Sequence, residues 1–479
     1  MFFKISPISD INMKKKQLVI FFFLAVILIL PISNMIGLSG ENEPIAVVPG
    51  SSEKFAKVSP VLQNKCVDCH SPGMTRMPIY AKLPIAKQLM AKDIENASGR
   101  LILTKQLYSG ETSFTPLMLA RIEGTVRNNS MPPHLYLSMH WTGRLTAEEQ
   151  QNILDWIADE RAKSSLSSDA IKSLKGEPIQ TLPLKVSLDE RKVALGHKLF
   201  FEKLLSGDET MSCASCHDLT KGGTDQAKVA TGIRGQQGPI NSPSVYNASY
   251  NLAQFWDGRA KDLQEQAAGP VANPGEMGEE WDNVVKKLSQ VNEYKNSFDA
   301  LYAGKGLTKT TVTDAIAYFE KSLVTGNSRF DQYLRGNNET LTTNEKAGYE
   351  LFKLNCASCH FGPTLGGGSY EKMGEKHNYF NLRGGELTEA DNGRFNVTKD
   401  EKDRHFFKVP SLRNVELTFP YFHDGSTANL ADAIKMMAKV QRNKDLTKDE
   451  ITQIEDFLKS LTGEYKGKLV TKLNDKDVQ

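Results

Sequence analysis

Neither sign of charge prevails in this chain: 59 Lys+Arg stand against 57 Asp+Glu over 479 residues, a formal charge of +2. A balance spread so evenly gives no reason to expect a nucleic-acid partner. Apolar residues make up 39% and charged residues 24%, which excludes wholesale disorder and a membrane protein of many spans. Cysteine is rare, with six in the chain. Length alone, at ~150 residues per domain, predicts about three domains, each able to bury its own core.

Long apolar runs are also missing, with one exception. Lys14, Lys15 and Lys16 precede an uncharged stretch from Leu18 to Leu30, which continues through Pro31, Ser33 and Asn34 towards Leu38. Its length is close to the ~20 residues of a membrane helix, and the basic flank orients it with the N-terminus in the cytoplasm. A cleaved signal peptide is the rival reading. No A-x-A-like cleavage site follows, so the expectation is a single inner-membrane anchor with everything after Gly40 exported to the periplasm.

Six exported cysteines could make a disulfide scaffold, but their positions reject one. They fall as Cys66-Val-Asp-Cys69-His70, Cys213-Ala-Ser-Cys216-His217 and Cys356-Ala-Ser-Cys359-His360. Each is a C-x-x-C-H, the attachment signature of c-type haem, and no cysteine is left over. Two thiols three positions apart can bond the two vinyl-derived carbons of one porphyrin, and the next residue turns its imidazole to the iron. Zinc needs four ligands, usually from a second paired motif. A thioredoxin-like pair has no need of the histidine. The expectation is three covalently attached haem c groups.

The motifs begin at 66, 213 and 356, so successive copies are 147 and 143 residues apart, an internal repeat the size of a small cytochrome domain. The copies also close alike. Thr146-Ala-Glu-Glu149 and Thr447-Lys-Asp-Glu450 read as capping boxes ahead of amphipathic helices, and Val312–Leu323 has the same apolar spacing. Strand-like alternation is sparse, so the fold class is all-α. The expected organisation is a cytoplasmic stub and anchor over 1–40, a first haem domain over 41–165, and a linker over 166–185. A second haem domain then covers 186–340, a third 341–465, and a charged tail 466–479.

An iron with a sixth ligand passes electrons, whereas an open one invites chemistry. For the first haem Met131, in Asn129-Ser-Met131-Pro-Pro133, is the candidate ligand, with Met139 and His140 as rivals close by. For the third, Met436 and Met437 lie on a probable helix well after His360, and the residues alone do not choose between them.

Longer motifs supply more. Leu195-Gly-His-Lys-Leu-Phe-Phe201, Met211-Ser-Cys-Ala-Ser-Cys-His217, Phe255-Trp-Asp-Gly-Arg-Ala260, Glu276-Met-Gly278, Phe407-Lys-Val-Pro-Ser-Leu-Arg-Asn414 and Pro420-Tyr-Phe-His-Asp-Gly425 together resemble the bacterial dihaem cytochrome c peroxidases. The resemblance runs from about Leu184 to Leu461. With the added N-terminal haem domain and anchor, the chain is similar to the trihaem, membrane-anchored branch, the quinol peroxidases.

That resemblance implies a peroxidase reducing hydrogen peroxide to water with electrons from membrane quinol, entering at the first haem and passing by the third to the second. A small soluble cytochrome c or cupredoxin is the alternative donor, and homodimers are common in the family. His217 would be the proximal ligand of the peroxidatic haem, and His360 and Met437 the axial pair of the electron-transferring one. Trp256 would relay between them, and Gln266 and Glu276 would line the distal pocket. Asn241, with backbone oxygens of Thr418 and Pro420, would match a calcium site. A carboxylate in a semi-apolar pocket can move protons near neutral pH if burial raises its pKa, which suits Glu276.

One departure bears on this. Many family members carry a histidine sixteen residues after the proximal one, which caps the peroxidatic iron until reduction releases it. Ile233 stands there in this chain, so the expectation is an open site in the oxidised protein. A related branch of cofactor-maturing oxidases has tyrosine in place of the methionine ligand, and Met437 argues against it. The third rival is a plain multihaem electron carrier with every iron six-coordinate. His197, His377 and His405 read as surface or packing residues, and His423 as part of the haem interface without a catalytic role.

Overall fold

Threonine hydroxyls start the helices that the sequence marks. In the computed structural model, which describes residues 43–73, 79–164 and 169–478, Thr146 Oγ1 accepts from the Glu149 N–H while Glu149 returns a carboxylate to the Thr146 N–H. Thr447 and Glu450 repeat the exchange. These boxes satisfy donors that a helix start leaves free, and they open the helices Ala147–Ala162 and Lys448–Lys459. The closing helix of the middle copy is Lys309–Ser322. The chain is helix-rich. Among the described residues the strands form only two short antiparallel pairs, Tyr370–Lys372 with Phe406–Lys408 and Glu464–Tyr465 with Lys468–Leu469.

The chain divides into two units, one up to Ile157 and one from Ala158 onward. In the first, the helix Glu53–Lys65 leads into Cys66, and Phe55, Val58 and Leu62 are buried with Leu103, Tyr108, Leu119 and Trp156. The second and third expected haem domains lie in the second unit, and each is built on the same contact. The helix ahead of a haem motif packs on the closing helix of its copy: Glu190–Phe200 on Lys309–Ser322, and Thr343–Asn355 on Lys448–Lys459. A glycine permits both crossings, since a Cβ at Gly196 would overlap the Ala315 carbonyl and one at Gly348 the Gln453 carbonyl. Glycine here serves close backbone approach.

The expected linker and the charged tail both pack into the fold. Residues 169–185 run along the third-motif core: Ile179 and Thr181 are buried, and Ile179 bridges Gly362. The charged tail is also anchored. Tyr465, Val470 and Val478 are buried with Phe200, Leu219 and Tyr246, against Cys213 and Ala214. The Val478 carbonyl accepts from His197 at 2.6 Å, and His197 meets Phe319 edge-on and Phe201 at a tilt, so it is a packing residue.

The Ser411–Asn414 motif is explained by one buried ion pair. Arg413 and Asp331 have fully buried side chains, joined by two bonds of 2.9 Å. Arg413 also donates to Pro363 O and Gln180 O, and Ser328 Oγ donates to Asp331. Removing one partner of such a pair leaves an uncompensated charge. Arg413→Met should therefore cost about 3–5 kcal/mol of stability, read from the denaturant midpoint of the holoprotein. A loss below about 1 kcal/mol would mean that the network is not sustained in solution.

The expectation of an inner-membrane protein with a single N-terminal anchor is corrected. Among the described residues no helix is long and apolar enough to cross a membrane. The longest, Ala147–Ala162, has 16 residues with Glu148, Glu149 and Arg161 among them. At ~1.5 Å per residue it falls short of the ~30 Å hydrocarbon core. The run Leu18–Leu38 lies outside the described residues.

Candidate active site

All three C-x-x-C-H motifs follow one plan. Each histidine turns Nδ1 to a backbone carbonyl: His70 to Leu101 O at 2.8 Å, His217 to Gly223 O at 3.3 Å, His360 to Leu365 O at 2.8 Å. A carbonyl can only accept, so Nδ1 holds the proton and Nε2 keeps its lone pair for a metal. Burial lowers the pKa of all three imidazoles and so favours the neutral ligand form. The six cysteines form no disulfides. Burial pushes the thiols of Cys66, Cys213 and Cys356 up to about 12, which disfavours a thiolate nucleophile or a redox pair. This donor set fits covalent haem, with one imidazole per motif.

In the first unit Met131 lies on the loop after the helix Pro116–Arg127 and is 43% exposed. His140 stacks on Tyr136, whose hydroxyl donates to Asp68 inside the haem motif. His140 Nδ1 faces Tyr136 O at 3.1 Å. The side chain of Met139 lies outside what is described.

In the second unit Glu276 sits on the turn that ends the helix Leu263–Ala272. Its carboxylate accepts from Asn273 at 2.7 Å and acts electrostatically on Cys216, so the turn faces the second haem motif. Burial raises the Glu276 pKa, outweighing Arg259 and the Asn273 bond, which lower it. Gln266 lies upstream on the same helix, half-exposed, and its amide forms no hydrogen bond with Glu276. Ile233 is 2% exposed and pinned: its N–H donates to Glu276 O at 2.8 Å, while Gln236 reaches Pro274 O at 3.0 Å.

Trp256 and Met437 come together. Both pack in one apolar cluster with Phe422, Met436, Tyr379 and Phe407. The helix Leu430–Arg442 presents both methionines half-buried. Trp256 Nε1 donates to Asn241 O at 2.9 Å, and the Asn241 N–H to His423 O at 2.8 Å. Asn241 is itself buried, and its amide donates to Ala227 O. Thr418 and Pro420 are half-buried on the adjoining loop.

A polar cluster beside Trp256 had no clear signal in the sequence. Asp391, His423 and Asp424 converge closely enough to hold a metal ion. The Arg383 guanidinium already bridges Asp391 and Asp424, at 2.8 Å from each, so the cationic position is filled by the chain. Burial opposes the charge on Asp391, but bonds from Arg383, Thr388 and His423 prevail and hold the carboxyl down to about 2. His377 and His405 have the structural roles expected of them, bonded to Asn443 and to the Asp391 carbonyl.

Comparison with known proteins agrees with this donor set. Residues 190–339 match the Di-haem cytochrome c peroxidase family and residues 29–159 a Haem-binding domain. The cytochrome c peroxidase Ccp of Escherichia coli (strain K12) is 44% identical over 414 residues, 85% of this chain and 88% of that protein. The cytochrome c551 peroxidase of Nitrosomonas europaea is 46% identical over 289 residues, 60% of this chain and 85% of that one. A solved MauG-like protein associated with microbial copper homeostasis is similar at 29% identity and a TM-score of 0.51, covering 60% of this chain and 93% of that structure. The coverage and identity of these relatives, joined to the haem motifs, assign the chain to the dihaem cytochrome c peroxidase family, as a peroxidase enzyme with covalently bound haem c.

Proposed function

We propose that this chain is a trihaem peroxidase that reduces hydrogen peroxide to two molecules of water, consuming two electrons and two protons, with quinol as the donor. Three haem c groups, when bound, supply the redox-active irons. Cys66 and Cys69, Cys213 and Cys216, and Cys356 and Cys359 would hold them, with His70, His217 and His360 as proximal ligands. Met131 and Met437 would be further ligands of the first and third, and the second would be left open.

The observation that carries the reading is the asymmetry at the second motif. A half-buried carboxyl with a raised pKa acts on Cys216, and position 233, where the family resemblance implies a capping histidine in many members, holds a buried Ile233. Glu276 would take a proton from one peroxide oxygen and return it to the other. Gln266, with its amide uncommitted, would orient the peroxide, and Trp256 would serve as a relay at the edge of the Met437 cluster. Asn241 with the Thr418 and Pro420 carbonyls would hold calcium, a hard cation that prefers oxygen ligands.

The test is a count and an assay on the purified holoprotein. Three irons per chain and peroxide consumption with a short-chain quinol as the only donor are expected. Turnover with reduced cytochrome c or cupredoxin but not with quinol would replace the donor, and two irons would remove the third haem. Three irons without peroxide turnover would leave a multihaem electron carrier.

A further inference from the structure

Tyr379 is fully buried, yet its two ends meet different surroundings. It opens the short helix Tyr379–Arg383, and its ring packs in the apolar cluster with Trp256, Phe422, Met436 and Met437. The hydroxyl meets polar groups instead. It donates to the two carboxylate oxygens of Asp424 at 3.1 and 3.2 Å, with Ser426 Oγ 2.8 Å away. Asp424 is half-buried and Ser426 exposed, so the hydroxyl end lies near the rim of the fold.

Aromatic rings connect this phenol to Trp256. Ring centroids lie 6.1 Å apart from Tyr379 to His423 and 6.4 Å from His423 to Trp256, the spacing of rings in contact. The charges around the phenol favour removing an electron from it. Arg383 lies 5.9 Å from the Tyr379 ring, where a lone cation would oppose that loss. Asp391 and Asp424 each bind this guanidinium at 2.8 Å, and two carboxylates outweigh one cation. Burial opposes the charge on Asp424, but Arg383 and Ser426 hold its carboxyl below the ordinary range. It therefore stands ionised, able to accept a proton. Burial raises the Tyr379 pKa, so the phenol keeps its proton until it is oxidised.

We propose that Tyr379 is a redox-active residue that gives an electron to an oxidised haem iron through the His423 and Trp256 rings, and its hydroxyl proton to Asp424. The inference rests on the peroxidase mechanism proposed above, with Trp256 as the relay. The step takes place when peroxide outruns the electron donor. Peroxide, reduced to water in the known reaction, is the oxidant. Tyr379 loses one electron and becomes a neutral radical, while the iron gains that electron. The phenol O–H bond breaks and an O–H bond forms on the Asp424 carboxylate. A later electron from the donor reduces the radical, and the same proton returns to the phenol oxygen. An oxidising equivalent that would otherwise stay at the iron is thereby held on a residue that the donor can restore.

The experiment uses the full-length holoprotein, oxidised and without donor, frozen rapidly after excess peroxide and examined by EPR, with iron counted per chain. An organic radical is expected, and protein grown on ring-deuterated tyrosine should show it with a narrowed hyperfine pattern. A reductant should erase it. Tyr379→Phe should lose the signal at unchanged iron content. Asp424→Asn should lose it too, since an amide can still accept from the phenol but cannot take its proton. If Tyr379→Phe fails to hold haem, Asp424→Asn decides. A radical that tyrosine deuteration leaves unaltered, or one that persists in either variant, would overturn the proposal. So would the absence of any radical while peroxide oxidises the irons. Irons that peroxide leaves unoxidised in the unaltered protein would instead overturn the peroxidase mechanism on which it rests.

Discussion

Glu276→Gln should lower peroxide turnover by about 10²–10⁴-fold, the usual contribution of a positioned proton-transfer group, while iron content and the oxidised spectrum stay as they are. The substitution keeps the size of the side chain and its bond to Asn273, since an amide oxygen can still accept from the Asn273 Nδ2. It removes only the capacity to hold a proton. The pH profile supplies an independent check. Burial raises the Glu276 pKa above that of an ordinary carboxyl, so the charged base is lost as pH falls through that raised value. Turnover should decline on the acid side at a higher pH than a solvent-exposed glutamate would give. In Glu276→Gln that limb should flatten, because no group remains to titrate. A variant with near-normal turnover, or with a full acid limb, would reassign the proton transfer to another residue.

How much of this was legible in the sequence depended on how local the signal is. The three C-x-x-C-H motifs state their chemistry within five residues, and the structure adds the Nδ1–carbonyl bonds that fix each imidazole. The capping boxes at Thr146 and Thr447 are equally local and form as expected. The tail was not legible. It read only as charged, whereas Tyr465, Val470 and Val478, too widely spaced to make an apolar run, pack against the second haem motif. The linker misled for the same reason, since Ile179 and Leu182 are buried and Ile179 forms an isolated bridge to the distant Gly362. The Arg383–Asp391–His423 network escaped because burial of a charge is a property of the packed molecule. Gly196 and Gly348 lay between these cases: visible as residues, but understood only once a carbonyl is found where their Cβ would be.

Ile233→His should change the oxidised enzyme most, because it puts a candidate iron ligand on the loop pinned beside the Glu276 turn. Three contacts hold the loop in place. Gly232 donates to the Gln236 carbonyl at 2.8 Å, Ile233 to the Glu276 carbonyl at 2.8 Å, and Gln236 to the Pro274 carbonyl at 3.0 Å. Position 233 is thereby fixed next to the Glu276 turn, and Thr231 lies against Cys216. An isoleucine held there offers the second haem no ligand, so the oxidised protein should contain one high-spin ferric haem and react with peroxide at once. An imidazole at the same position can supply a nitrogen lone pair. The variant should be low-spin at that haem, and its initial turnover should fall by about tenfold or more until a reductant is added, the factor worth ~1.4 kcal/mol in favour of the capped state. The measurement is an EPR spectrum of each oxidised protein before and after stoichiometric peroxide. A low-spin second haem in the unaltered protein would mean that some other side chain closes the site. A high-spin, immediately reactive Ile233→His would mean that the pinned loop points the residue at 233 away from the iron, and that the open site depends on loop conformation more than on the residue it carries.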